Sequence, residues 1–551
     1  MSSAETGTLR VGVLCDQQRI PRWQAEAVTR LFAVAGVHPL VWIALEDGAA
    51  RPAALKQKTP VATGIFAQVT KWLPKPLNPA ALFEQDPAPL FGTLRTIVVP
   101  ASPGLGAFDP EAIATLAPLQ LDLVLALSSF RPEAAELGHP RLGVWSFHPT
   151  LSGDAIDEEL FSDTEHAAVQ LIRYDATGDV RVLREGRFAN TAIDAPVNEV
   201  LMRCALWPAQ VAMEVIAGRE EAARGSAAAL APESAPQSAL ASAAAVWRGW
   251  RRKLFRQRPE LALEWNIGVL HQPISALLEE GASMNVRWLP PPSAGRTRSE
   301  PFGYTTEDGQ LNVLYRKHSV TTGQSSIARL RPKADNVLKR SRPMLEGAGI
   351  TGYPYVVEHE GAVHVVVTHT TGTDLYRLNT TNDGLDHLVS LVAEPLHAPT
   401  LFQVEGRWWL FATDPALPDI ALLAFHANDL QGPYTAHALN PLKMDVTSSR
   451  PAGTPFQRDG VWWRPALDAS RPDTSAVVLN RIVILTPDLY VEETVRRIEA
   501  FRGTTYGRGL RTLCAMGPIT LVDGLRSPIV SADKATTSRS KKRSGSSSKR
   551  K

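Results

Sequence analysis

The stretch SRPAGTPFQRDGVWWRPALDAS, residues 449–470, places Arg-Pro twice, at Arg450 and Arg464, with Asp468 close behind. A guanidinium offers several N–H donors to a sugar hydroxyl, carboxylate or phosphate. Proline beside it suits an innermost strand or a strand end, where one backbone N–H can be spared. The pattern marks both arginines as candidate ligand contacts. The alternative is that both arginines form buried structural pairs, Arg464 with Asp468 for example. A second constellation is GVWSFHPT, residues 143–150. Side chains alternate along a strand, so Ser146 and His148 share one face at the end of that run. Open α/β sheets place active sites there. The alternative is a loop histidine stacked on Trp145 or Phe147.

The elements that position these groups fall into two grammars. LRVGVLCD (9–16), HPLVWIAL, RTIVVP (95–100), LDLVLALS (121–128) and RLGVWSFHP (141–149) read as strands. IPRWQAEAVTRLFAVAG and DPEAIATLAPL read as helices between them, with Trp23, Ala27, Leu31 and Val34 at helical spacing. Alternating strands and helices predict a parallel α/β sheet of Rossmann-like form over 1–217. Residues 50–94 read as a Pro/Lys-rich insertion, and the Ala/Ser-rich 218–258 as a linker or lever helix. Beyond it come short strand signals. The hairpins VVEHEGAVHVVV, LFQVEGRWWLFA and PFQRDGVWWRPA share one turn pattern, and their turn glycines Gly361, Gly406 and Gly460 lie 45 and 54 positions apart. That period suits propeller blades and predicts an all-β five-bladed propeller over 259–526. Trp408, Trp409, Trp462 and Trp463 would stack on sugar faces or pack between blades, and packing is the expectation for most of them.

Composition narrows the class. The 551 residues are 44% hydrophobic and 21% charged, as in ordinary multi-domain globular proteins. The net charge of +2 conceals a split: residues 531–551 carry eight Lys/Arg against Asp533 alone, so the rest is mildly acidic. The tail, 527–551, is expected to be solvated and disordered, with an anionic partner as the alternative. It has no aromatic residue for base stacking, so a nucleic-acid partner is not expected. Cys15, Cys204 and Cys514 are far apart and predict neither a disulfide framework nor a zinc site. The thirteen histidines show no HxxxH or HExxH spacing, so no metal is expected. No signal peptide and no apolar run of about 18 residues is present, which predicts no membrane span and a cytoplasmic setting.

Two resemblances add to this reading. LDLVLALSSF followed by RLGVWSFHP resembles the formyltransferase family, which moves a one-carbon unit from formyl-tetrahydrofolate to an amine. The resemblance implies His148 as base, Ser146 where the family has Asn, and Asp179 or its neighbour Asp175 near the place of the catalytic Asp. Formyl-tetrahydrofolate is the implied donor. Replacing a fixed Asn donor by Ser matters, because one oxyanion donor is typically worth roughly 10²–10³ in rate. Residues 262–525 resemble the N-terminal propeller of glucosamine inositolphosphorylceramide transferases, through WNIGVL, RWLPPP, EPFGY, GYPYVVEHEG, GRWWLFATD, GPYTAHALNP, SRPAGTPFQRDG and LNRIVILTPDLYVEE. That propeller is akin to glycosidase propellers, whose acids meet in a central funnel. The resemblance implies a carbohydrate or nucleotide-sugar ligand held by Arg450, Arg464, Asp468, Glu300, His369 and His397. It implies a transferase acting on an amino-sugar or glycolipid head group. The alternatives are a non-catalytic glycan-binding protein and a glycosidase using Glu300 and Asp468.

Overall fold

The computed structural model describes residues 7–46, 80–100, 108, 110–128, 137–148, 166–175, 179–189, 197–219, 264–332, 341–347, 349–381, 383–471 and 474–526. Residues 220–263, which include nearly all of the expected linker, lie outside the described residues, as do most of the insertion and the basic tail 527–551.

The N-terminal strands are β1 (Leu9–Asp16), β2 (Val37–Glu46), β3 (Arg95–Pro100), β4 (Leu123–Ala126) and β5 (Val144–His148). They pair in parallel in the order β3-β2-β1-β4-β5. Two antiparallel strands, β6 (His166–Tyr174) and β7 (Val180–Ala189), extend the sheet past β5. Continuous apolar runs in β1 and β4 follow from burial of both faces. On one face α1 (Arg22–Phe32) and α4 (Trp207–Ile216), with α3 (Val197–Cys204) between them in the chain, build a core around Trp23, Trp145, Phe147 and Trp207. On the other, α2 (Pro110–Leu116) covers Leu14, Val124, Ala126 and Val144. Part of the expected insertion packs on the α1 side: Phe91 stacks on Trp42 at 4.6 Å.

From Trp265 to Leu525 the described residues form an all-β, propeller-like region. Four four-stranded antiparallel sheets stand separately. The first joins β8 (Trp265–Leu270) and β9 (Val286–Trp288) to the last two strands, β27 (Leu513–Met516) and β28 (Ile519–Leu525). Pairing of Trp265 with Leu525 thus ties the start of the all-β region to its end. The second is β10 (Arg296–Thr305) to β13 (Arg342–Leu345), by way of β11 (Leu311–Ser319) and β12 (Ser325–Leu330). The third is β14 (Ile350–His359), β15 (Ala362–His369), β16 (Gly372–Asn379) and β17 (Gly384–Val392). The strands β18 (His397–Val404), β19 (Arg407–Thr413), β20 (Ala421–Ala427), β21 (Thr435–Ala436) and β22 (Lys443–Asp445) come next. The last separate sheet is β23 (Phe456–Arg458), β24 (Val461–Asp468), β25 (Ala476–Thr486) and β26 (Leu489–Ile498).

The expectation of five separate blades is therefore corrected to four. The strands β18–β22 do not end as a free sheet. β22 pairs in parallel with β7, Met444 opposite Gly186 and Asp445 opposite Arg187, so they merge with the N-terminal sheet. A sequence period counts hairpins and is blind to which open edge finds a partner. No helix among the described residues is long and apolar enough to cross a membrane.

Candidate functional site at the centre of the all-β region

Three inner strands carry one local device. In β10, β14 and β18 the ladder slips between Ser299 and Phe302, Gly352 and Tyr355, and His397 and Thr400. Each slip contains a non-glycine residue at positive φ followed by proline: Glu300 (φ 56°), Tyr353 (φ 55°) and Ala398 (φ 52°). A bulge leaves a residue out of the ladder, so the proline costs no hydrogen bond there, and the kink re-aims the preceding side chain. Arg450-Pro451 occupies the corresponding inner place before β23. The backbone strain, of order 1–3 kcal/mol per residue, is concentrated where the side chains converge.

The group at the centre is Glu300. Its side chain is 4% exposed. Oε2 accepts the Tyr353 amide N–H at 2.8 Å, while Oε1 faces the guanidinium of Arg450 at 3.6 Å and that of Arg316 at 4.0 Å. Gly352, at φ +119°, makes this approach possible: a Cβ there would lie 2.5 Å from Cδ of Arg316 and 2.8 Å from Oε2 of Glu300. Burial pushes the Glu300 carboxyl up, but Arg316, Arg450 and Arg511 together hold it below its ordinary value. Arg450 reaches the other way to Asp419, Nη1 to Oδ1 at 3.0 Å. The Asp419 side chain is 42% exposed and marks the side of the cluster open to water. His397 sits among these charges. Burial first, then Arg450, depresses its pKa to about 3, so the ring is neutral at physiological pH. Its Nδ1 is buried without a hydrogen-bond partner among the described residues.

Beneath Glu300 lies Asp523. Its carboxylate accepts the amide N–H groups of Glu300 (2.9 Å), Arg511 (3.0 Å) and Thr512 (2.9 Å). Burial raises its pKa to about 6. Tyr353, which burial also pushes up, accepts the Gly453 amide N–H at 2.9 Å and shares a 3.3 Å hydrogen bond with Thr400. The cluster thus draws on β10, β11, β14, β18, the segment before β23 and β28.

Of the expected ligand-binding residues, the fold brings together Glu300, His397 and Arg450. Arg464 is a correction. Its side chain is fully buried and grips Glu492 with two N–H groups, at 2.9 and 2.6 Å, while two more hydrogen bonds reach the carbonyls of Ser448 and Ser449. Arg464-Pro465 is on β24, one strand outward, where the bonding capacity of the guanidinium is already committed. Asp468 is a second correction. It accepts Nε of Arg497 at 2.8 Å and the Ser470 amide, not Arg464. His369, at the end of β15, bonds the Tyr376 hydroxyl at 2.8 Å and stands 3.7 Å from Asp374. Asp445 caps its own turn through Thr447 and Ser448. The tryptophan pairs pack: Trp408 and Trp409 are buried in different clusters, and Trp463 stacks on Phe456. Sequence reasoning missed Tyr353, Asp419, Arg316, Arg511 and Asp523. The signal available was the recurrence of Xaa-Pro at Pro301, Pro354, Pro399 and Pro451.

In the N-terminal sheet, Ser146 and His148 are both buried at the end of β5. The Ser146 hydroxyl donates weakly to the Phe147 carbonyl at 3.4 Å. His148 pairs in register with Gln170, whose amide donates to Glu185 at 3.2 Å. Asp179 is a third correction. It follows the Tyr174 end of β6, which faces Val144 at the other end of β5, and it accepts Nε of Arg181 at 2.7 Å on the surface. It does not orient His148.

Comparison with known proteins falls on the same region. Residues 293–511 match the family model for the N-terminal part of glucosamine inositolphosphorylceramide transferase 1. The curated glucosamine inositolphosphorylceramide transferase 1 proteins of Oryza sativa subspecies japonica and indica are each 27% identical over 248 residues. Each alignment covers 42% of this chain, and the chain spans 33% of the length of those relatives. Among solved structures, a family 117 glycoside hydrolase from Zobellia galactanivorans is 10% identical with TM-score 0.31, covering 48% of this chain and 91% of its own. An exo-1,5-alpha-L-arabinanase from a bovine ruminal metagenomic library is 15% identical with TM-score 0.28, covering 35% and 76%.

Proposed function

We propose that the all-β region is a carbohydrate-recognition module whose binding centre is the Glu300–Arg450–Asp419 cluster. The observation that carries this reading is a ring of charged and neutral hydrogen-bonding groups from successive sheets, converging on one point and open to water at Asp419. Such a set offers fixed donors and acceptors to sugar hydroxyls. The match to a glucosamine inositolphosphorylceramide transferase N-terminal model supports a sugar or glycolipid head group as the ligand.

Recognition is better supported than hydrolysis. Glycoside hydrolysis needs a protonated carboxyl beside the leaving oxygen and a second carboxylate across the ring. Asp523 is the raised acid here, but it is fully buried and held by three backbone N–H groups. Glu300 is held ionised by three guanidinium groups. The pair Glu300 and Asp468 does not meet. Formyl transfer gains no support among the described residues, since Ser146 donates to its own strand and Asp179 lies at the wrong end of β5; no step through formyl-tetrahydrofolate is derived. The parallel strand order of the N-terminal sheet, with the first and fourth strands of the chain adjacent, supports a Rossmann-like reading, with a nucleotide-sugar or similar ligand at that switch point. A transfer reaction on an amino-sugar or glycolipid head group is the second reading, favoured by the family match alone.

A glycan microarray probed with the full chain and with Arg450→Ala tests the proposal. Retention of specific glycans, lost in the variant, is expected. Retention by both proteins alike would place the binding elsewhere. Turnover of aryl glycosides by the full chain, abolished by Glu300→Gln, would replace recognition by hydrolysis.

A further inference from the structure

At the centre three guanidinium groups, of Arg316, Arg450 and Arg511, meet three carboxylates, of Glu300, Asp419 and Asp523, the last of which is already held by three backbone N–H groups. Glu300 is shared between Arg450 and Arg316, and Asp419 holds the far side of Arg450. Arg511 differs. Its backbone amide bonds Asp523, but among the described residues its guanidinium has no carboxylate partner and lies over the ring of Trp265, 4.1 Å from the centroid. Burial first, and then Arg450, lowers its pKa against the opposing pull of Glu300 and Asp523. Guanidinium groups gathered in a poorly hydrated site repel one another, and an added anion relieves that repulsion. Asp419 is the counter-charge at the open side. Being 42% exposed and making one 3.0 Å contact, it is the acid that a ligand can most readily replace.

We propose that Arg511, Arg450 and Arg316 form a subsite for an anionic substituent of the bound sugar, a carboxylate or a phosphate, which takes the place of Asp419 beside Arg450. Both groups match the planar donor fork of arginine, which contacts two oxygens at once. The face of Trp265 holds the Arg511 guanidinium in place before the ligand arrives. This inference rests on the reading of the centre as a glycan site and specifies which glycans it takes.

The test is a binding series with the full chain against immobilised neutral, uronate-bearing and sugar-phosphate-bearing glycans of otherwise matched structure. Acidic glycans are expected to be retained at least about tenfold better than their neutral counterparts, with the advantage shrinking as salt is raised. Arg511→Gln, checked by melting temperature for intact folding, is expected to erase that advantage, so that acidic and neutral glycans are retained alike. Asp419→Asn, which removes the counter-charge beside Arg450, is expected to raise the ratio of acidic to neutral binding several-fold. The uronate and phosphate arms identify which anion is preferred. Equal retention of neutral and acidic glycans overturns the subsite and leaves the sugar reading standing. An acidic preference that neither variant alters overturns its assignment to these arginines. Failure to retain any glycan overturns both readings.

Discussion

At the scale of single residues, the two Arg-Pro pairs show how one sequence pattern serves two purposes. Arg450 has ionic partners on two sides, one of them at an exposed rim, so its surroundings admit a ligand. Arg464 is fully buried and bidentate to Glu492, which also bonds Lys443 at 2.8 Å and the Tyr490 hydroxyl at 2.5 Å. Removing one partner of such a buried pair strands the other charge, which costs about 3–5 kcal/mol. Arg464→Met should therefore lower stability by about that amount in chemical denaturation and, in protein that remains folded, leave glycan binding unchanged. The centre also makes a pH prediction. His397 titrates at about 3 in the folded chain against an ordinary 6.5. Between those values the unfolded chain takes up a proton that the folded chain refuses, so stability falls as pH drops through that window. Asp523, raised to about 6 from 3.8, acts in the opposite sense between pH 6 and 3.8. His397→Asn should flatten the decline in stability between pH 6.5 and 3, read from melting temperatures across that range. A decline identical to that of the wild type would rule out the assigned role of burial.

At the scale of elements, the kinked inner strands explain why the centre is polar while the sheets around it are apolar. Tyr353, Val366, Leu375 and Leu401 pack between sheets, whereas the bulges at Glu300 and His397 redirect single side chains inward. Closure depends on a tight backbone contact. Gly453, at φ +135°, bridges Leu513, and a Cβ there would lie 1.9 Å from the Leu513 carbonyl oxygen. The same glycine donates its N–H to Tyr353. Gly453→Ala combines a steric clash with an unfavourable backbone conformation and should destabilise by about 3 kcal/mol or more. The check is a denaturant titration. A loss below about 1 kcal/mol would mean that the ring closes by another route.

At the scale of the whole molecule, the N-terminal sheet and the all-β region share structure. Besides the β22–β7 pairing, Gln210 on α4 donates to the Leu439 carbonyl at 2.8 Å, Arg219 pairs with Asp488 at 2.5 Å, and Arg203 pairs with Asp414. Leu417, Ala421 and Met444 belong to the same apolar core as Trp145 and Trp207. Met444 is fully buried there. Met444→Ala should cost about 2–5 kcal/mol, the range for emptying a buried site of that size. Calorimetry should show the main transition moving as one unit. Two transitions, with only one displaced, would show the two regions unfolding independently.

The sequence by itself determined the local grammar. The strands at 9–16, 95–100 and 144–148, the helix after Pro21 and the hairpins around Gly361, Gly406 and Gly460 are legible because side-chain periodicity and turn chemistry act within a few residues. It also marked Arg450 through its Arg-Pro pair, while Glu300 and His397 were marked through the resemblance to the transferase propeller. The tertiary structure alone decided the rest. Asp523 meets Glu300 across 223 positions, and Arg464 meets Glu492 rather than Asp468. Whether β22 ends a blade or joins β7 depends on which open edge arrives beside it. Hydrogen bonds and charge pairing at close range select among many compatible partners, and only the folded path of the chain sets which of them come within reach.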